Sequence, residues 1–546
     1  MSHHRGVLHG SVPKLITLAV PAWLLVACGD SDSLEGDAYS SDEAGDFGGT
    51  GQSASDSDDP STTSPGTMST SDPSGGGDTG SAGDPSDGDS PPDDTGVEET
   101  GDDTTTAEPA CDDAEPVILY LSPDDSNSMS SPVQARDAVL GGWGSVSSVP
   151  IRVWEFLNYY SFSYPPAPAG QVLVTPTLAR DESDPAGEYL LQIGVSSETM
   201  GDDRPPINLA LVLDTSGSMS GTPMDMLKES CRVIAANLKA GDTISMVTWN
   251  TDNLVVLEGH IVEAANDPVL LAAIEQIDAG GGTDLYSGLE AGYALANEVY
   301  DTDRINRIVL ISDGGANVGI TEVDLIAEQA NKSGADGIYM VGVGVGEAGD
   351  YNDTLMDDVT DAGKGASIFI STAAEAQRIF GDQFVSTFSV AVRDVQVRLD
   401  LPPGFEVVKF SGEEISTDPA EVEPQHLAPD DTMVFHQRIA TCAPELVLDE
   451  TPITVTARFE DPLTGEEQEV QVTATFAELL AGDQAQLRKG AAVFGYAEAL
   501  KAWKDATTQE DRATIIANAL AEVTVAAGLL PDDADLLEIR SVLEAM

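Results

Sequence analysis

Three short polar stretches carry side chains able to hold a cation. Asp214-Thr215-Ser216-Gly217-Ser218 sets one carboxylate and two serine hydroxyls at a spacing of two. Gly280-Gly281-Gly282-Thr283-Asp284 offers a hydroxyl on a glycine-rich turn, and Arg307-Ile-Val-Leu-Ile-Ser312 runs into Asp313-Gly314. Hydroxyl and carboxylate oxygens without imidazole or thiolate are hard donors, suited to Mg²⁺, Mn²⁺ or Ca²⁺ rather than to zinc or copper. With Asp214 and Asp313 as the carboxylates beside Ser216, Ser218 and Thr283, an open coordination position is expected to accept a carboxylate from another molecule. The competing reading is that each Ser or Asp caps the helix behind it.

The elements around these stretches must bring them together. From residue 201 to 385, short apolar runs alternate with amphipathic stretches: Ile207 to Leu213, Met224 to Leu238, Thr243 to Trp249, Val269 to Ile277, Leu285 to Val299, Ile305 to Ile311, Val323 to Ala330 and Gly337 to Val343. Buried Val/Ile-rich runs alternating with helices predict an α/β fold, a doubly wound and mostly parallel sheet with helices on both faces. In that architecture ligands bind beyond the carboxyl ends of the strands, where all three polar stretches fall.

Asp214, Ser216 and Ser218, then Thr283, then the Asp313-Gly314 turn resemble the von Willebrand factor type A domain with its metal-ion-dependent adhesion site. The resemblance implies that Ser216, Ser218 and Thr283 contact the ion directly or nearly so, with Asp214 and Asp313 holding it largely through water. Mg²⁺ is the ion expected first, with Ca²⁺ and Mn²⁺ as alternatives. Trp154-Glu155-Phe156-Leu157-Asn158-Tyr159-Tyr160, Ser163-Tyr164-Pro165-Pro166 and Asn317-Val318-Gly319-Ile320 look like the bacterial lipoproteins related to calcium-activated chloride-channel homologues. Channel activity does not carry over from that name, because no later apolar run reads as long enough to span a membrane.

The front of the chain reads as export and tether. His3, His4, Arg5 and Lys14 precede the apolar stretch Leu15 to Ala27, which is shorter than the ~20 residues of a spanning helix. Leu25-Val26-Ala27-Cys28 resembles the bacterial lipobox, which implies a signal peptide over 1–28 and lipid on Cys28 as the membrane attachment. Residues 29–113 are almost wholly Ser, Asp, Gly, Thr, Pro and Glu, a composition expected to stay disordered as an acidic stalk. The cell envelope is the expected location, on the outer membrane or cell surface, with the periplasmic face of the inner membrane as the alternative.

Charge narrows the partners. With 25 Lys+Arg against 94 Asp+Glu, the net charge of −69 excludes nucleic acid and anionic lipid surfaces as binding partners. A protein ligand is expected, and no small-molecule substrate. The four cysteines show no zinc spacing. Cys111 and Cys442 are a candidate disulfide in an exported chain, and Cys231 is expected to be a buried apolar residue. Asp124-Asp125-Ser126-Asn127-Ser128 is read as a polar turn with capping groups rather than a second cation loop. His260, His426 and His436 stand in unrelated contexts with no nucleophile motif, so no enzyme is expected.

Beyond the α/β domain, Ala391 to Leu399, Met433 to Ala440, Ile453 to Phe459 and Gln468 to Phe476 predict an antiparallel β domain over 386–477. It is expected to recruit Val117 to Leu121 and Tyr189 to Val195 from the region 114–200. The last part, 478–546, predicts helices with Val493, Ala497, Leu500 and Trp503 on one face. Two functions fit the whole: a lipid-anchored module that captures a protein carboxylate through a bound divalent ion, or a scaffold in an envelope transport complex whose metal is structural.

Overall fold

A computed structural model describes residues 115–546 except 124–126, 143–144, 182–186, 202–203, 316–336, 349–350, 352 and 463. The 1–28 signal, the 29–113 stalk, Cys28, Cys111, Asp124 to Ser126 and Asn317 to Ile320 lie outside the described residues.

Every residue of β4 (Ile207–Asp214) is buried. Leu209, Leu211 and Leu213 enter one core while Ala210 and Val212 enter another, the period of two of a strand covered on both faces. Beside it lie β5 (Thr243–Trp249), β6 (Asn253–Ile261), β7 (Ile305–Ser312), β8 (Tyr339–Val345) and β9 (Ser367–Ile370), in the order β6-β5-β4-β7-β8-β9. Pairing is parallel throughout except that β6 runs antiparallel to β5. Helices α3 (Thr222–Asn237) and α4 (Pro268–Glu275) pack on one face with Phe384–Phe388, and α5 (Leu285–Glu298) packs on the other with Asp353–Gly363. Sequence periodicity did not predict β6: it is a largely exposed edge strand, and only Val256 and Leu257 pack partly buried against the core.

Glycines set how closely α5 approaches the sheet. A β-carbon at Gly288 would collide with Trp249, and one at Gly292 with Val212. Their absence lets α5 lie directly on β4 and β5, which brings the glycine-rich turn at its start to the strand ends.

The expected antiparallel domain is built of two sheets. The first has the order β12-β1-β10-β15-β16, with β13 paired to β10; its strands are β1 (Val117–Ser122), β10 (Val392–Leu401), β12 (Glu414–Ser416), β13 (Gln425–Leu427), β15 (Pro452–Glu460) and β16 (Glu467–Thr475). The second has the order β11-β14-β3-β2, from β2 (Leu173–Arg180), β3 (Glu188–Ser196), β11 (Phe405–Phe410) and β14 (Thr432–Thr441). Alternate residues of the two, among them Val397, Leu399 and Val455 facing Leu191, Ile193 and Ile439, share one core. The strands before residue 200 pair as expected, β1 with β10 and β3 with β14.

Region 114–200 also supplies helices. α1 (Ser130–Leu140) and α2 (Val153–Tyr159) pack against Ala485–Asp505, Gln509–Leu529 and Ala534–Ala545. Phe156 of α2 meets Tyr496 edge to face with ring centroids 5.3 Å apart, so the aromatic Trp154 to Tyr160 stretch builds core. Val493, Ala497, Leu500 and Trp503 are buried together in the same cluster. Gln509–Leu529 corrects the expectation of no later apolar run: by length and composition it could cross a membrane, with mean hydropathy 1.2 and 22% of that window buried. Its apolar character comes from Ala interleaved with Thr and Asn rather than from a continuous Leu/Ile run, and Ile516, Ala519, Val523 and Ala526 face the neighbouring helices.

Candidate metal centre

Asp214 closes β4 and is fully buried. Its Oδ1 accepts the Ser216 N–H at 2.8 Å and its Oδ2 accepts the Ser312 hydroxyl at 2.6 Å, so the last residues of two neighbouring strands fix one carboxylate. The Ser216 and Ser218 hydroxyls stand 3.1 Å apart. Met219, buried beneath the short turn Gly217–Met219, anchors that loop.

The capping alternative fails for the first loop. Helix α3 starts at Thr222 behind Gly221, with no side-chain cap, and the Gly217–Met219 turn has none either. The hydroxyls of Ser216 and Ser218 are therefore not used to start a helix. Asp284 is different: it caps α5 by accepting the Ser287 N–H at 3.2 Å.

The second loop is tied to the first through backbone. The Gly280 N–H donates to the Thr215 carbonyl at 2.8 Å, and the Asp284 N–H to the Asn250 carbonyl at 2.6 Å. The Gly282 N–H donates to the Thr251 hydroxyl, also at 2.6 Å. Both neighbours of Thr283 are thus held, while Thr283 itself is exposed. Gly281, at φ +94°, packs against Asn250 where a β-carbon would be only 3.0 Å from the amide carbon, so this turn requires glycine.

The third loop closes the site. Gly314 turns the chain at φ +76°, and the Gly315 N–H donates to Asp313 Oδ1 at 2.9 Å. A β-carbon on Gly315 would lie 2.8 Å from Asp313 Oδ1 and 3.0 Å from Ser218 Oγ, so these two oxygens flank one small space. The structure brings Asp214, Ser216, Ser218 and Asp313 together and fastens the Thr283 loop beside them.

The electrostatics are those of a site short of positive charge. Burial raises the Asp214 carboxyl above its ordinary range, and the neighbouring Asp313 charge pushes the same way, against the Ser312 and Ser216 hydrogen bonds. Among the described residues no Lys or Arg pairs with Asp214 or Asp313. A buried carboxylate beside a second one, with the Ser216 and Ser218 hydroxyls alongside, fits a hard divalent cation. Among the described residues no cluster of three or more His, Cys, Asp or Glu could hold a metal, which leaves these hydroxyl-bearing loops as the cation-fitting set.

Sequence reading missed three participants. Ser312 was read as the end of a strand, but its hydroxyl fixes Asp214. Asn250 and Thr251, after β5, clamp the other two loops: Asn250 Nδ2 donates to Thr215 Oγ1 at 3.2 Å, and Thr251 receives Gly282. The position of Ser312 beside the Asp-Gly turn was visible, whereas the Asn250 pairing joins loops far apart in sequence.

Other candidates resolve separately. Cys231 is buried and free, among Leu227, Ile234 and Leu238 as expected. Cys442 is disulfide-bonded, and its expected partner Cys111 lies outside the described residues. His260 contacts Asp267, the cap of α4, at 3.0 Å. His436 is buried against Gln192 at 2.9 Å, and His426 sits apart on β13.

Residues 209–316, which span the three loops up to Gly315, match the family model of the von Willebrand factor type A domain. The chain carries a von Willebrand factor type A domain. Over 266 residues it is 28% identical to YfbK of Escherichia coli (strain K12), covering 47% of this chain and 45% of the relative. It is also 28% identical over 226 residues to inter-alpha-trypsin inhibitor heavy chain H2 of Sus scrofa, 39% of this chain and 22% of that protein. The chain thus spans about half the length of these relatives or less. Among solved structures it is similar to a von Willebrand factor type A protein from Catenulispora acidiphila, at 16% identity and a TM-score of 0.44, covering 69% of this chain and 96% of that one. The A domain supplies the parallel sheet, and its three strand-end loops are those that converge on Asp214.

Proposed function

We propose that the A domain binds one divalent cation, Mg²⁺ first, and uses it to engage a carboxylate of a protein ligand in adhesion or assembly of an envelope complex. Ser216, Ser218 and Thr283 would hold the ion with Asp214 and Asp313, and the bound ion would supply an electrophilic point for an incoming carboxylate. The observation that carries this reading is the buried Asp214, positioned by Ser216 and Ser312 and lacking any basic partner among the described residues. The protein acts here as a binding module and not an enzyme: the two carboxylates at the site are committed to the ion, which leaves no general base. Lipid on Cys28 and the acidic stalk would carry the module at the membrane surface, a reading supported by the lipobox-like Leu25 to Cys28.

Calorimetric titration of Mg²⁺, Mn²⁺ and Ca²⁺ into wild type and Asp214→Ala tests the site. One ion per chain, lost in the variant, is expected, together with partner capture that a chelator abolishes. Equal behaviour of the two proteins, or capture indifferent to chelator, rejects the adhesive reading and favours a scaffold. Labelled fatty acid incorporated into wild type but not Cys28→Ala is the expected result for the anchor.

A further inference from the structure

At the opposite edge of the A-domain sheet, where β7 and β8 begin, a cavity of about 340 Å³ opens against β13, β14 and the segment after α2. That is the size of a small-molecule pocket, which runs from about 300 to 1,000 Å³. Arg307 lines it and is 8% exposed. The guanidinium lies 4.9 Å from the centre of the Tyr339 ring, and its one hydrogen bond among the described residues runs from Nη1 to the Asn306 carbonyl, 2.9 Å. No carboxylate pairs with it among the described residues. In a chain with 94 Asp+Glu and 25 Lys+Arg this is not for want of acids. A buried cation left without one is costly unless an anion arrives from outside.

Two neighbours strengthen the case. His426 Nδ1 accepts the Asp394 N–H at 3.3 Å, which puts the ring proton on Nε2, and that nitrogen is buried without a partner. Burial, followed by the charges of Lys364, Arg307 and Arg393, pushes the imidazole down to about 3. The ring is therefore neutral although Asp394 stands 3.7 Å away. Lys364, also on the cavity wall, sits at φ +50° between Asp353–Gly363 and β9, a helix end where glycine is the ordinary choice. A lysine kept in a strained position facing a cavity is better explained by its charge than by its backbone.

We infer that this cavity binds a small organic carboxylate, its anionic end taken by Arg307 with Lys364 as the second cation. A planar guanidinium matches a carboxylate bidentately. Asp382, Asp430 and Asp431 also line the cavity and oppose a doubly charged phosphate, while Tyr339, Val390 and Met433 suit an apolar body. This site is independent of the metal centre.

Calorimetry on the full-length chain, with acetate, butyrate, benzoate and inorganic phosphate as probes, tests it. Saturable binding of a carboxylate at one per chain, tighter than phosphate, is expected. Arg307→Met should weaken it at least about tenfold, and Lys364→Gly several-fold, with a Tm at or above wild type because the backbone strain is relieved. Absence of carboxylate binding, or an unchanged Kd in Arg307→Met, overturns the site, and phosphate tighter than every carboxylate overturns the ligand class. Should Arg307→Met fail to fold, Lys364→Gly decides alone, and an unchanged Kd there rejects the proposal.

Discussion

The two edges of the A-domain sheet hold buried charge of opposite sign, Asp214 at the carboxyl ends of the strands and Arg307 near the start of β7, and among the described residues no salt bridge neutralises either. Several other buried charges among the described residues are paired. Arg204 meets Asp242 at 2.6 Å, Arg136 meets Glu375 at 2.6 Å, and Lys489 sits between Asp533 and Asp535 at 2.7 and 2.8 Å. Asp214 and Arg307 lack such a partner among the described residues and border open space, whereas Arg393, also buried without a carboxylate, is met by the Asp461 and Pro462 carbonyls. An unpaired buried charge beside open space is where an incoming ligand would supply the missing partner.

The contrast breaks most visibly at a paired site. Asp242→Ala strands Arg204 in the interior and removes the acceptor for the Ile207 and Lys239 N–H groups, so urea unfolding should report a loss of about 3–5 kcal/mol. If Arg307→Met cost as much, Arg307 would be a structural residue and the comparison would fail.

Acid should reveal the histidines next. Burial, with a smaller push from Arg438 and Arg488, brings His436 from its ordinary 6.5 down to about 3. Between those values the unfolded chain takes up a proton that the folded chain refuses, so stability falls as pH drops through that window, by at most about 1.4 kcal/mol per pH unit for each such group. Denaturation followed from pH 7.5 to 4 should show that slope reduced by one proton in His436→Gln. His426 has the same depressed value, but only its neighbourhood should respond to added carboxylate.

At the acidic edge the ranking of variants should depend on the ion. In chelator, Asp214→Ala is expected to unfold at the same urea concentration as wild type or higher, because a buried unpaired charge is gone. With Mg²⁺ present the order should reverse, since the variant loses about 10–100-fold in cation affinity. A variant destabilised equally in both conditions would make Asp214 a purely structural residue. The smallest effect is expected for Ser312→Ala, which removes one hydrogen bond to Asp214 Oδ2 and should weaken cation binding about tenfold in the same titration.

Much of the candidate cation site was legible because its parts are local. Asp214, Ser216 and Ser218 sit within five residues at the end of the apolar run Leu209 to Leu213, and the Asp313 turn follows the apolar run Ile308 to Ile311. Glycines at 280–282 announced a turn, and the alternation of periods announced the α/β sheet. What sequence hid was partnership across distance. The clamp from Asn250 and Thr251, the split of the β region into two sheets, and the meeting of Arg307, Lys364, Arg393 and His426 depend on segments brought together by packing. No local period encodes that. The exposed edge strand β6 escaped for the converse reason, having little core to face.

The A domain is inserted in the middle of the β sandwich, and this dictates an order of events. β3 cannot pair with β14, where Tyr189 opposes Ile439, until the chain between them has been synthesised, and β1 likewise waits for β10. The A domain, with both edges of its sheet internal to one stretch of chain, can fold first and pull the two halves of the sandwich together as its ends converge. A chain stopped partway through synthesis or translocation would therefore present β1 without β10, and the β2–β3 pair with the β14 side of β3 open to mispairing, until its last third arrives.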